Sequence, residues 1–391
     1  MHVINFRNTS VVVVTCGLLA TATALGAALT TISVADWNVT ALVRMAREQP
    51  LAPLARASDP DFAFVHYDGR GDGVSYYAIA RDPLARSDEH ELIQWAAYRY
   101  GHPGFSWLAS LVTFGDPALV PYAFLLLNLI GMGVAAGAAS LIARELGHSP
   151  WGGLLVALNP GLIYATTIDT SEPVAAALLA LVLLMWLRGT WKAALPILAA
   201  LCFMKEWFVL VPLALIGWEL MQLRRCGRSR VLTRSAALAG SVLPFAVWYL
   251  YVVLHFDRWP AAPAGELVQF PLTGWGQTAR RAADLGMQSF DRVVIGHPAV
   301  PLLAVVSLAF GIGVVRALRL RNPIHVVFLA FMPVVLGLNW LNLLFTKDLI
   351  RTLSIPLALV PAVVVGGDTW RKRWLSRTSS APAKPRRESV P

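Results

Sequence analysis

The chain has 391 residues, of which 56% are hydrophobic and 14% charged, with 14 tryptophans and a formal net charge of +10. So little polar surface does not coat a soluble globule of this size, and the tryptophan content suits a membrane–water interface. The composition therefore excludes an ordinary water-soluble enzyme and indicates an integral membrane protein. The positive charge does not indicate nucleic acid, because the basic residues fall between apolar runs and in the tail over 371–387, where they set orientation against an anionic cytoplasmic leaflet.

Residues 10–35 form an apolar run longer than the roughly 20 residues that cross a hydrocarbon core, preceded by Arg7 and followed by Asp36. The run exceeds a signal-peptide core in length, while small residues such as Ala22 and Ala27 keep a cleaved leader as the alternative reading. As a first span it enters from the cytoplasm. Hydropathy then falls over residues 36–103. Within them Asp72 can cap a helical turn running through Tyr76, Tyr77 and Ile79, and Asp88 with Glu91 resembles a capping box before Leu92, Ile93, Trp95 and Tyr98. The pattern predicts two helices, each with an aromatic and a charged face, lying on a membrane surface.

Residues 104–115 are too short to span and read as half-buried or re-entrant. Residues 117–143 cross inward to Arg144, 151–168 return outward to Asp169 and Glu172, and 174–187 come in to Arg188 and Lys192. Residues 193–223 raise a question of parity. As one helix they would leave Arg224, Arg225, Arg228, Arg230 and Arg234 outside, against the charge rule for short loops. Two short spans folding at Lys205 and Glu206 restore the sign and bring that pair to the outer surface. There it is either a functional site or a self-satisfied pair closing the turn.

Residues 235–256 go out, a second outer loop over 257–298 carries Trp259, Trp275, Arg280 and Arg281, and 299–315, 323–345 and 349–365 follow. The pattern predicts about ten spans within 1–367, and a basic, disordered cytoplasmic tail over 368–391, so that both termini are cytoplasmic. Cys16 and Cys202 lie in apolar runs and Cys226 in a basic loop, a scatter that indicates neither a disulfide framework nor a zinc site.

On this orientation the acidic and aromatic loops share the face away from the cytoplasm. The chain has neither a GxGxxG opening a βαβ unit nor a Walker loop. An enzyme on that face needs an activated donor carried by the membrane, which a polyprenyl-phosphate sugar supplies. Acidic residues, glycines and paired tyrosines gather in the stretch 66–83, HYDGRGDGVSYYAIARDP.

Within that stretch, DGVSYYAIARDP over 72–83 resembles the DGxxYYxIAxDP signature of bacterial multi-pass glycosyltransferases of the GT-C superfamily. The resemblance continues in order through YRY (Tyr98, Arg99, Tyr100), WLAS over 107–110, SEP (Ser171, Glu172, Pro173), MKE (Met204, Lys205, Glu206) and Arg351 near the start of the last span. Together these cover most of the chain, and more distantly the pattern is similar to the mannosyltransferases of GPI assembly and the protein mannosyltransferases. There are two departures. The family usually has a single aspartate in YDG, whereas here YDG holds Asp68 and a second DG holds Asp72; spacing to Tyr76 and Tyr77 favours Asp72, and tyrosine context favours Asp68. His102 stands where the family tends to have arginine.

The resemblance implies an all-α integral membrane bundle with two juxtamembrane helices and an essential acidic residue in the first outer loop. It implies an inverting transferase of the plasma (inner) membrane and cell envelope, moving a hexose or pentose from a polyprenyl-phosphate donor to a glycan, lipid or protein acceptor. On that reading Asp72 or Asp68 is the general base, a role contributing about 10²–10⁴ in rate. Lys205 and Arg351 stabilise the leaving phosphate, and Glu172 or Asp169 positions the sugar. Tyr76, Tyr77, Arg99, His102 and Glu206 complete the candidate substrate-binding set. A divalent cation on His66, Asp68 and Asp72 is an alternative on ligand types. The rival classes are a membrane transporter or lipid flippase, which often carries internal repeats and midplane sites, and a non-catalytic assembly or scaffold protein; no repeat is evident here.

Overall fold

The computed structural model describes residues 6–65, 72–261, 269–285 and 300–365, and every regular element among them is helical apart from an isolated bridge between Ala46 and Val65. Helix α1 (Phe6–Ser33) leads through a 3₁₀ turn (Val39–Val43) to α2 (Ala52–Ser58), α3 (Asp72–Arg81), α4 (Ala96–Tyr100) and α5 (Gly104–Val112). Next come α6 (Val120–Glu145), α7 (Leu154–Ala157), α8 (Pro160–Thr166), α9 (Glu172–Arg188), α10 (Trp191–Cys202), α11 (Leu210–Met221) and α12 (Leu223–Cys226). The remaining described helices are α13 (Arg228–Phe256), α14 (Thr273–Leu285), α15 (Val300–Ala317), α16 (Pro323–Gly337), α17 (Trp340–Leu343), α18 (Thr346–Thr352) and α19 (Ser354–Val365).

Three of these helices, α1, α6 and α13, are long and apolar enough to cross a membrane, and α18 with α19, bent by 57°, makes a fourth if the pair is one broken span. Helices α10, α15 and α16 are apolar but shorter; at 1.5 Å per residue α10 is about 18 Å long, against a hydrocarbon core of about 30 Å. Helix α1 packs on α6 through Gly17, where a Cβ would lie 3.1 Å from the Gly133 carbonyl oxygen, and Thr21, whose Oγ1 donates to the Leu129 carbonyl at 3.2 Å; Cys16, Ala20, Ala24 and Ala28, four apart on α1, are also buried. Small side chains let the two backbones approach where no hydrophobic force drives helices together. Val11, Val14 and Leu18 on α1, and Leu243, Val247, Leu250 and Leu254 on α13, face outward and exposed. Such faces suit hydrocarbon.

Helices α6 and α9 are neighbours running the same way, because Arg188 at the end of α9 donates to Glu145 at the end of α6 at 2.9 Å. The chain between them therefore returns to its starting end, and it does so in pieces. A single helix was expected over 151–168; instead a 3₁₀ turn (Pro150–Gly153) and α7 stop before Asn159, whose side chain accepts from Gly161 N and Leu162 N to cap α8. Pro160 explains the break, since it has no N–H to continue the helix but suits its first position. Residues 193–223 are interrupted where the Lys205–Glu206 pair was expected, with Lys205 extended at φ −159° between α10 and a 3₁₀ turn (Glu206–Val209). The segment 323–345 is shorter than expected: α16 ends at Gly337, and Asn339 caps α17 through Leu341 N.

The expected surface helices of residues 36–103 differ most. Helix α3 is enclosed by protein, with Gly73, Val74 and the run from Tyr76 to Ala80 all buried and with α4, α5 and α6 packed around it. The second is broken. Ser87 rather than Asp88 caps a 3₁₀ turn (Asp88–Leu92), and Trp95, at φ 58°, separates that turn from α4. The register is set from behind: the Asp82 carboxylate accepts from Arg86 N, Ser87 N and Ser87 Oγ at 2.8–2.9 Å, which fixes Ser87 at the helix start. Helix α14, within 257–298, was not expected; it docks through Trp275 Nε1, which donates to the Val335 carbonyl at 2.9 Å.

Two glycines set distances at one end of the bundle. A Cβ on Gly73 would lie 2.8 Å from the Ile168 carbonyl oxygen and 2.9 Å from that of Val43, and a Cβ on Gly161 would overlap the Ile350 carbonyl. The first seats α3 on the turn before α9; the second seats α18 on α8. Gly73→Ala is expected to push α3 off that turn and to lower stability by about 1–3 kcal/mol, read as a fall in the thermal midpoint of the purified protein.

Candidate functional site

Asp72 opens α3, and its side chain faces two guanidiniums. Arg99 Nη1, from α4, donates to Oδ1 at 2.5 Å, and Arg351 Nη1, from α18, donates to Oδ2 at 2.5 Å across 279 positions of sequence. Lys205 Nζ donates to Glu172 Oε1, in the first turn of α9, at 2.9 Å. Tyr76 lies one turn along from Asp72 and shares a hydrogen bond with Ser171 at 3.1 Å. The His102 ring stands 3.5 Å from the Glu206 carboxylate. The Gly104 N–H donates to the Phe203 carbonyl at 2.9 Å, tying the start of α5 to the turn that holds Lys205.

Burial pushes the Asp72 carboxyl up, but the charges of Arg351, Arg99 and Lys205 outweigh it and hold the group well below the usual carboxylate range. Asp72 is thus an anion with both oxygens occupied, in a mostly buried place: its side chain is 20% exposed and the two arginines 16% each. Arg99, Lys205 and Arg351 stand against Asp72 and Glu172, with the Glu206 carboxylate beside the neutral His102 as a third acidic group. Arg99 Nε and Arg351 Nε are buried with no hydrogen-bond acceptor among the described residues. A buried donor left without an acceptor costs about 1–3 kcal/mol, and these two N–H groups lack one while the cluster's spare acceptor, Glu172 Oε2, is itself buried without a donor among the described residues. A phosphate supplies acceptors in the geometry guanidinium groups favour.

His102 is neutral at neutral pH, because burial drives its imidazole down to about 4 despite the opposing Glu206 charge. In the unfolded chain the ring takes its proton near pH 6.5. Between those values the unfolded state binds more protons, so acid destabilises the fold. Stability is expected to be full above pH 6.5 and to fall by at most about 3 kcal/mol toward pH 4. Melting curves of His102→Gln should lack that part of the slope.

Asp72, Tyr76, Arg99, His102, Glu172, Lys205, Glu206 and Arg351 therefore converge at one end of the bundle. Tyr77 does not join them. Consecutive helical residues point about 100° apart, and its ring packs 5.6 Å from Phe62 with the Arg81 guanidinium 5.7 Å away. Asp169 does not join them either. It is fully buried at φ 47°, neither oxygen has a hydrogen-bond partner among the described residues, and burial raises its carboxyl well above the usual range. It is a neutral acid in a left-handed turn, a conformation aspartate and asparagine tolerate better than most residues. Asp169→Asn, which buries an amide with a further donor and no acceptor among the described residues, is expected to lower stability by about 1–3 kcal/mol, read as a fall in the thermal midpoint.

Asp68 and His66 lie outside the described residues, and the divalent-cation alternative lies there with them. Among the described residues no group of three or more His, Cys, Asp or Glu side chains gathers for a metal. Sequence reasoning missed Ser171 as the partner of Tyr76, and Tyr98, whose ring meets His102 edge-on at 4.8 Å. Only the YRY motif pointed toward Tyr98. Other signature residues are scaffold. Tyr100 donates to the Asp82 carbonyl at 2.8 Å, Trp107 to the Pro83 carbonyl at 2.9 Å, and Trp248 of α13 to the Tyr100 carbonyl at 2.7 Å. The chain matches no family model and no curated protein.

Proposed function

We propose that this chain is a multi-pass membrane glycosyltransferase of the GT-C type, which moves a sugar with inversion from a polyprenyl-phosphate donor to an acceptor hydroxyl on the extracytoplasmic face. The observation that carries the reading is a carboxylate clamped between two mostly buried guanidiniums, with a third cation close by, at one end of a bundle of apolar helices. The proposal includes a topology of about ten spans with both termini cytoplasmic and the Asp72 end outward. The Arg188–Glu145 pair supports the opposite end as the inner one, near the loops rich in arginine.

The donor phosphate takes up the unsatisfied N–H groups of Arg99 and Arg351 while its prenyl chain stays among lipid. In doing so it competes with Asp72 for the same guanidiniums, and an Asp72 oxygen is released. The acceptor oxygen then forms its bond to the anomeric carbon as its proton passes to Asp72. The bond from that carbon to the phosphate oxygen breaks, and both electrons leave with the polyprenyl phosphate. Charge growing on the phosphate is met by Arg351, Arg99 and Lys205, which stabilise it more in the transition state than in the bound donor. Glu172 neutralises part of the remaining positive charge through Lys205 and stands near the oxocarbenium-like sugar.

The test is transfer itself. Purified protein in proteoliposomes, given a polyprenyl-phosphate hexose or pentose and an extract of envelope glycans and lipids, should release polyprenyl phosphate and label a new product. Movement of the donor across the bilayer without any transfer would overturn the reading in favour of a flippase.

A further inference from the structure

A cavity of about 580 Å³ opens beside α4 and is walled by Trp95, Tyr98 and Trp259 together with His90, Glu91 and Arg258. We infer that it is the acceptor subsite and that its occupant is a saccharide, whose hydroxyl is the one that attacks; this rests on the transferase reading above. Two observations support the assignment.

The first is the chemistry of the wall. Aromatic faces and hydrogen-bonding groups alternate around a volume within the usual range for small-molecule sites, about 300–1,000 Å³. A pyranose presents that same mixture, with an apolar C–H face and a rim of hydroxyls. A lipid chain would strip water from Glu91 and Arg258 without replacing its hydrogen bonds. The two tryptophans are placed by different features. Trp95 sits at φ 58°, a conformation that is a genuine outlier for a bulky residue, and it lies at the joint that aims α4. Trp259 is 68% exposed, yet Tyr249 meets its ring edge-on at 5.4 Å, and the same phenol donates to the Pro260 carbonyl at 2.9 Å.

The second is position. Tyr98 is a common wall: it lines the cavity, meets His102 edge-on at 4.8 Å, and lies within electrostatic reach of Glu206, Arg99 and Asp72. The next residue along α4, Arg99, is the one that holds Asp72. A sugar stacked in the cavity therefore lies against one side of Tyr98, with His102 against the same ring, and a shift of α4 on loading would act on the clamp through Arg99.

The experiment uses the full chain in nanodiscs and two probes. Methyl α-mannopyranoside, methyl β-glucopyranoside and methyl β-galactopyranoside report on the cavity by saturation-transfer NMR; farnesyl phosphate reports on the cationic cluster. The variants are Trp259→Ala and Trp95→Gly, the latter chosen because glycine relieves the left-handed backbone instead of straining it. At least one glycoside should bind saturably, and each variant should weaken it about tenfold, with farnesyl phosphate binding as before in Trp259→Ala. Glycoside binding that is absent, or unchanged in both variants, overturns the acceptor assignment, and retained farnesyl phosphate binding leaves the transferase reading standing. Glycoside binding abolished by Arg351→Gln but not by the tryptophan variants would place the sugar at the donor site, and the cavity assignment would fail.

Discussion

Asp72→Asn is expected to lower transfer by about 10²–10⁴, the range for loss of a general base, and at the same time to tighten binding of the prenyl phosphate. The second effect separates this account from a structural one. In the resting protein both Asp72 oxygens hold the guanidiniums that the phosphate needs. An amide is a weaker competitor, so the phosphate meets two freer arginines while the proton acceptor is gone. A residue that only braced the fold would lose activity and affinity together. Some stability is lost as well, because two mostly buried cations lose their counter-charge. That loss belongs toward the lower end of the about 3–5 kcal/mol seen when a buried pair is broken, since a fifth of the carboxylate side chain is exposed. Turnover, farnesyl phosphate affinity and thermal midpoint measured on one preparation resolve the three effects.

Arg351→Gln is expected to lower kcat by about 10²–10³, as removal of one preorganised charge-stabilising donor does, and to change the pH profile in a stated direction. In the parent, burial raises the Asp72 carboxyl, while Arg351, Arg99 and Lys205 together hold it well below the usual range. The free enzyme's base therefore stays ionised through that range, and kcat/KM has no acid limb there. Without Arg351 one lowering charge is missing and the raising effect of burial is less opposed, so the carboxyl titrates at higher pH and an acid limb moves up into view. Arg99→Gln should move it the same way. A limb that stays in place in both variants would mean that Asp72 is not the base.

The helical class, the three long apolar helices and most of the charge cluster were legible in the sequence because each leaves a local trace: an apolar run of sufficient length, or an ionisable residue at the end of one. Residues 193–223 show how far that goes. Charge parity predicted an interruption at Lys205, and the chain is interrupted there. What was not legible depends on partners far apart in sequence. Asp72 reads as a helix cap from its neighbours, and only the fold brings Arg351 to it. Tyr77 matched the same motif as Tyr76, and helical geometry sends it to the other side of α3. Asp169 and Glu172 look alike as two acids in one turn, and the difference between a neutral buried acid and a paired carboxylate is set by whether Lys205 reaches them. The amphipathic helix α14 was hidden within a segment read as loop because its polarity masked its periodicity, and Trp95 broke a predicted helix by a backbone angle that no composition encodes.

The cluster's affinity for a prenyl phosphate tests the central claim most directly. Farnesyl phosphate and farnesol, titrated into the same nanodisc preparation, differ only in the group that Arg99 and Arg351 are held to grip. The account predicts saturable binding of the phosphate, weak or no binding of the alcohol, and loss of that preference in Arg351→Gln. Equal binding of phosphate and alcohol, or a preference untouched by Arg351→Gln, would contradict it.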